Sequence, residues 1–287
     1  MPALYIVATP IGNLEDISLR ALRTLRQVKL IAAEDTRKTR RLLTRYDIKT
    51  PMTSYFEHNK MTKLEYILNY LQNEDVALVS EAGMPGISDP GYELIAKASQ
   101  RGIPVIPIPG PSVITTALVV SGLPTDRFLY IGFLPHRASA RRRILESVAE
   151  EQGTLVAFES PHRLADALND ILEVLGNRRL AVCHELTKMH EEVFRGTVSE
   201  AIDHFVEPKG EFTLVIEGKP ESEPPPIEDV EKQLRQLQLD GATAREAIGR
   251  LSSQTGRSKR ELYRLWLQIN MVADVKGSLR QAVRGVN

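Results

Sequence analysis

Four short segments in this chain have the residue types of a small-ligand site. They are Thr9-Pro10-Ile11-Gly12-Asn13-Leu14, the stretch from Ser80 through Gly83, Gly86 and Asp89 to Gly91, Ile108-Pro109-Gly110-Pro111-Ser112, and Glu159-Ser160-Pro161-His162-Arg163. Each follows an apolar run. Glycine and proline in such places fix an irregular backbone that a ligand can approach closely. One such segment alone reads as an ordinary turn. Four of them, nearly free of charge, suit a small molecule held by backbone groups and apolar walls. Acid–base chemistry has three carboxylate candidates near these segments, Glu34, Asp35 and Glu81, with His184 a weaker one. Glu34 and Asp35 follow an apolar run and precede a basic stretch. Asp35 or Thr36 reads equally well as the cap of a helix over 37–46.

Several familiar chemistries are excluded. The sequence has no G-x-G-x-x-G, no G-x-x-x-x-G-K-[ST], no G-x-S-x-G and no H-E-x-x-H. The six histidines show no ligand spacing, and the one cysteine, Cys183, can form neither an intramolecular disulfide nor a thiolate metal cluster. No metal is expected. A lone cysteine fits a reducing cytoplasm, and Met1-Pro2-Ala3 runs into an apolar strand with no basic leader.

The elements that must carry the four segments alternate. Strands are expected at Ala3–Ala8, Leu30–Ala33, Val76–Ser80, Val105–Ile108, Phe128–Phe133, Leu155–Phe158, Leu180–His184 and Phe212–Glu217. Helices are expected at Ser18–Val28, at Thr62–Gln72 behind a Thr62/Glu65 capping box, and near 92–101, 112–121, 138–150, 163–175 and 198–206. This order predicts an α/β fold with largely parallel sheets. The chain divides at Leu123-Pro124-Thr125 into two α/β domains, 1–122 and 123–219. A proline-rich stretch, 219–226, then leads to a helical domain over 227–270. There Ile227–Leu239 is amphipathic, and the pairs Thr243/Glu246 and Ser258/Glu261 open two helices with helix-turn-helix-like spacing. Residues 102–125 carry no charge and are long enough to span a bilayer, but Pro104, Pro107, Pro109 and Pro111 break them into strand, loop and helix.

Charge is balanced overall, 37 basic residues against 37 acidic, which excludes a uniformly basic coat protein. Locally it is uneven. Residues 20–45 hold nine basic groups, among them Arg37, Lys38, Arg40 and Arg41, against only Glu34 and Asp35. A second cluster is Arg137, Arg141, Arg142 and Arg143; a third is Arg257, Lys259, Arg260 and Arg264. A single cluster is most often a solvated face. Three in a neutral chain read as phosphate footprints for RNA.

The segment Pro10-Ile11-Gly12-Asn13-Leu14-Glu15-Asp16-Ile17-Ser18, the Ser80–Pro90 loop and Ile108-Pro109-Gly110-Pro111-Ser112 resemble the three motifs of the tetrapyrrole-methylase-type methyltransferases. Ala33-Glu34-Asp35-Thr36-Arg37, Glu159-Ser160-Pro161-His162-Arg163 and Glu185-Leu186-Thr187-Lys188 are similar to the branch that methylates small-subunit ribosomal RNA. The resemblance covers residues 1–218. It implies a two-domain class III methyltransferase fold with S-adenosylmethionine as methyl donor, and transfer to the ribose 2′-oxygen of a cytidine in the decoding centre of 16S rRNA. The partner would be 16S rRNA or the small ribosomal subunit, and the enzyme a cytoplasmic homodimer with no membrane association. By position, Pro10, Glu81, Ala82, Gly83, Met84, Ile87, Thr115, Thr116, Phe158, Leu186, Glu211, Phe212 and Thr213 would form the cofactor pocket. Asn13 and Met84 stand where the tetrapyrrole enzymes usually have Asp, which argues against a corrin-type substrate. The competing readings are a small-molecule methylase and a non-catalytic nucleic-acid-binding regulator.

Overall fold

The computed structural model describes residues 1–220 and 226–269. The chain forms two compact units, Met1–Pro220 and a second beginning at Glu221. Most of the expected stretch 219–226, and everything after 269, lie outside the described residues.

The first unit contains two five-stranded sheets. The first is parallel and has the order β3-β2-β4-β1-β5, where β1 is Leu4–Val7, β2 Leu30–Ala33, β3 Met52–Ser54, β4 Val76–Val79 and β5 Val105–Ile108. These strands read as short continuous apolar runs because both faces are covered. One face packs on α1 (Leu19–Gln27) and α2 (Thr36–Arg45), through Leu22, Leu25, Leu42 and Leu43. The other packs on α3 (Lys60–Tyr70) and α4 (Tyr92–Gln100), through Leu64, Ile67, Leu68 and Leu94. Ser18 caps α1 by accepting from the Ala21 N–H. The Thr62/Glu65 box does not form: α3 begins two residues earlier, and the Thr62 hydroxyl donates to the Asn59 carbonyl instead.

The helix α5 (Val113–Ser121) follows β5 but packs on the second sheet, where Ala117 and Leu118 meet Val156, Ala181 and Val215. That sheet has the order β6-β7-β10-β8-β9, with β6 Phe128–Phe133, β7 Thr154–Glu159, β8 Arg179–His184, β9 Glu192–Thr197 and β10 Phe212–Ile216. Only β6 and β7 are parallel; the other three pairings are antiparallel. The expectation of largely parallel sheets therefore holds for the first sheet and fails for the second. The strand β9 was not expected, because its sequence Glu-Val-Phe-Arg-Gly-Thr lacks an apolar run. The outer face carries α6 (Ala138–Ser147), α7 (Leu164–Leu175) and α8 (Val198–His204) around Leu145, Leu168, Ile171 and Leu214.

The second unit packs α9 (Ile227–Leu239), α10 (Ala244–Thr255) and α11 (residues 259–269) around Val230, Leu234, Leu251, Leu262 and Trp266. The Thr243/Glu246 capping box opens α10, and Gly256 ends it in the left-handed conformation. Among the described residues, no helix is long and apolar enough to cross a membrane.

Candidate functional site

Strand order brings the sequence-distant loops together. In the first sheet β1 lies between β4 and β5, and β2 lies beside β4, all parallel. The segments leaving their carboxyl ends therefore emerge side by side: Thr9–Leu14, Ser80–Gly91, Pro109–Ser112 and Glu34. This is where ligands bind in open α/β sheets. In the second sheet β10 runs antiparallel to β7 and β8, so its start meets their ends: Phe212 pairs with both Glu159 and His184. The two edges enclose a cleft of about 420 Å³, within the ordinary range for small-ligand sites.

The cleft is lined on the first-sheet side by Ile11, Glu34, Glu81–Met84, Ile87–Asp89 and Ser112–Ile114. Phe133, Phe158–Pro161 and Gly210–Thr213 complete it. Of the expected cofactor residues, Glu81, Ala82, Gly83, Met84, Ile87, Phe158, Glu211, Phe212 and Thr213 line this space. Four others do not. Pro10 is buried. Leu186 sits in the apolar cluster with Ile11 and Cys183. The hydroxyls of Thr115 and Thr116 both turn back to the Ser112 carbonyl, at 3.3 and 2.8 Å. The neighbouring Ser112, Val113 and Ile114 take their place on the wall.

Close backbone contacts hold the cleft loops. Thr9 and Gly83 exchange two hydrogen bonds, N–H to carbonyl, at 2.8 and 3.0 Å, and Gly83 adopts a positive φ of 76° that favours glycine. Gly12 lies against the segment after β8. A Cβ there would come within 2.6 Å of Thr187 Oγ1 and 2.7 Å of the Leu186 carbonyl. The Asn13 N–H donates to Thr187 Oγ1 at 3.0 Å, and the Asn13 side chain accepts from the Glu15 N–H. Asn13 therefore organises the turn and is absent from the cleft wall. Ser88, also at positive φ (61°), shares a 2.6 Å hydrogen bond with the Tyr130 hydroxyl on β6, so one side-chain pair spans the two sheets beside the cleft.

The carboxylates differ by environment. Asp35 is the cap of α2: its side chain accepts from the N–H groups of Arg37 and Lys38 at 2.7 and 3.1 Å, and the Lys38 bond above all holds its carboxyl below the usual range. The capping reading displaces the acid–base reading at this residue. Glu34 lines the cleft and accepts from the Glu81 N–H at 3.0 Å; burial, then Asp35, pushes its carboxyl up. Glu81 is ion-paired with Lys38. Asp89, which sequence reasoning did not single out, is the most displaced: burial, then the Glu34 charge, raises it to about 7. Its place in the Gly/Pro-rich loop was visible in the sequence, but its burial comes from packing. His184 stacks on Phe212 with centroids 4.7 Å apart and is absent from the cleft wall.

The basic clusters separate as clearly. All nine basic groups of residues 20–45 are exposed, and Arg37, Lys38, Arg40 and Arg41 lie on α2, whose cap follows Glu34 directly. Arg141 is not a surface cation. It is buried and paired with buried Asp170 at 2.6 Å, which corrects its expected contact with RNA. Arg142 is half occupied by the same Asp170 and by Glu173. Arg137 and Arg143 stay exposed. In the second unit Arg257 is ion-paired with Glu261, while Lys259 and Arg260 are exposed. Among the described residues, no group of three or more His, Cys, Asp or Glu could hold a metal ion.

The family of Tetrapyrrole (Corrin/Porphyrin) Methylases matches residues 3–202. The chain is 47% identical over 277 residues to the ribosomal RNA small subunit methyltransferase I of Halalkalibacterium halodurans, covering 92% of this chain and 94% of that one. It is 52% identical over 222 residues to the protein of the same name from Thermotoga maritima, covering 76% of this chain and 100% of that one. Among solved structures, uroporphyrin-III-C-methyltransferase from Thermus thermophilus shares the fold, with a TM-score of 0.54 at 20% identity, covering 75% of this chain and 94% of that one.

Proposed function

The chain belongs to the tetrapyrrole methylases, in their ribosomal RNA small subunit methyltransferase I group, and on that premise we propose that it methylates the ribose 2′-oxygen of a cytidine in the decoding centre of 16S rRNA. The observation that carries the reading is one juxtaposition. A two-sided cleft holds a carboxyl poised near neutrality, Asp89, and opens beside a helix whose exposed face is basic. S-adenosylmethionine is the methyl donor of the family, and this cleft fits it. The walls are mainly apolar, and Glu34 and Glu81 supply negative charge for a cationic ligand. Ala82–Met84, Ser112–Ile114 and Glu211–Thr213 would hold it, with Phe158 behind. When bound, the donor supplies a methyl group already activated by its positive sulfur.

The chain's own task is alignment, water exclusion and removal of one proton. Fixing the acceptor oxygen in line with the methyl group can be worth about 7–11 kcal/mol. The rigid Thr9–Gly83 link and the Ser88–Tyr130 bridge hold the two edges for that purpose. Asp89 Oδ would take the proton of the acceptor hydroxyl, and the donor, held by the cleft, would supply the methyl group. A general base whose pKa lies near the working pH adds about 10²–10⁴-fold. Glu34, itself pushed up by burial, adds its charge to the burial that raises Asp89, and stays the neighbour rather than the base. Arg37, Lys38, Arg40 and Arg41 carry the phosphates past the mouth, with Arg137 a further contact. The edge strand β6, with Phe128 and Leu129 exposed, suits a second copy of the chain. The substrate places the enzyme in the cytoplasm.

The test is transfer of label from methyl-labelled S-adenosylmethionine to small ribosomal subunits lacking the modification. Label in a cytidine whose 3′ phosphodiester bond resists alkali supports ribose transfer. Label on a base, or transfer only to a small molecule, overturns it.

A further inference from the structure

Every described residue that lines the cleft lies within Met1–Pro220. The surface of the helical second unit is sorted by helix. On α9, Lys232 pairs with Asp229 and Arg235 with Glu231, and in the turn before α11 Arg257 pairs with Glu261. On α11, Leu262, Leu265, Trp266 and Ile269 are buried against α9 and α10. The opposite face presents Lys259, Arg260, Tyr263, Arg264 and Leu267, all exposed. At 3.6 residues per turn these five fall within an arc of about 140° and run about 12 Å along the axis. Lys259, Arg260 and Arg264 make no ion pair among the described residues, and Tyr263 is 51% exposed, one turn on from Lys259 and Arg260.

We propose that this face of α11 is a second RNA-binding surface, which grips unpaired rRNA with Tyr263 as a stacking platform. The inference rests on the proposed rRNA substrate and deepens it. Among the described residues the cations of the α11 face are unpaired, where those of α9 are paired. An exposed aromatic with a lysine and an arginine one turn away is an arrangement that stacks bases while the cations hold phosphates. Unpaired RNA is the occupant favoured over duplex. The deep, narrow major groove of A-form RNA does not admit a helix, whereas splayed bases stack on aromatic rings. DNA, which a helix-turn-helix-like unit also brings to mind, has no place in the cleft chemistry and serves as the contrary outcome.

The test uses the full chain and unmethylated small subunits, with binding read by filter retention in the absence of donor, and methyl transfer read separately. The variants are Lys259→Gln/Arg260→Gln/Arg264→Gln together, and Tyr263→Ala alone; all four positions are exposed, and thermal unfolding checks each variant. The triple variant is expected to raise the subunit KM about tenfold or more. It should flatten the slope of log Kd against log salt by about two, as loss of three contacts to single-stranded phosphate requires. Affinity for the donor and kcat at saturating subunits should not move. Tyr263→Ala is expected to weaken subunit binding while leaving the salt slope unchanged. Unchanged KM and slope in the triple variant overturn the proposal. So does loss of binding to a random DNA duplex with subunit binding intact. If the wild-type chain binds subunits with this slope but transfers no methyl group, the proposed activity fails and the α11 surface stands.

Discussion

Replacing Asp89 by Asn separates a carboxyl tuned for catalysis from one that merely stabilises a loop. In the folded chain this group titrates at about 7 against an ordinary value of 3.8, because burial and the Glu34 charge disfavour its ionised form. Between those two values the folded state keeps a proton that the unfolded chain has released. Stability on this account is fully present below pH 3.8 and is lost as pH rises toward 7. About three pH units at 1.36 kcal/mol each sets a ceiling of about 4 kcal/mol. The site is only partly buried, and solvent screening brings the expected value to about 1–2 kcal/mol. Asp89→Asn, which cannot ionise, should therefore unfold at higher urea than the wild type at pH 8. The gap should shrink steadily toward pH 5. Circular dichroism across that range reads it directly. Methyl transfer by the same variant should fall by about 10²–10⁴ while donor affinity changes little. A variant less stable than the wild type at pH 8, or a gap independent of pH, would refute the assignment of Asp89.

Three further outcomes follow from the packing. Arg141→Ala removes one partner of a buried ion pair and should destabilise the chain by about 3 kcal/mol in urea unfolding, whereas Arg40→Ala on exposed α2 should stay within about 0.5 kcal/mol and raise the subunit KM instead. Gly12→Ala drives a methyl group toward the Leu186 carbonyl and Thr187 and should cost about 1–3 kcal/mol, with weaker donor binding, by unfolding and calorimetry. Donor at a hundredfold its Kd should stabilise the wild type by about 2.7 kcal/mol, and a Met84→Trp variant, its cleft filled, by much less.

Much of the fold was legible because its signals are local. Ser18 caps α1, Thr243 and Glu246 close a capping box, and the uncharged stretch around Pro104–Pro111 resolves into strand, loop and helix. What escaped depends on distant partners. The pairing direction in the second sheet is set by the edge strand β9, half-buried and carrying Glu192 and Arg195, so periodicity does not mark it. Thr62 and Glu65 have capping-box spacing, yet Asn59 starts the helix by bonding Ser54 and Phe56 first. In the site the same division holds. Gly83 and the 80–91 loop announce close backbone approach by composition. Arg141, Arg142 and Arg143 look alike in sequence, and only Asp170, 29 residues on from Arg141, decides which of them is buried. Asp89 is one carboxylate in a turn until β2 brings Glu34 beside it.

The central claim is that the donor binds in the cleft between the two sheet edges. Hydrogen exchange with and without S-adenosylmethionine tests it most directly. Protection is predicted in three segments far apart in sequence, Ser80–Asp89, Ser112–Ile114 and Glu211–Thr213. Protection that misses these three segments, or that falls on the helical unit alone, would contradict the account.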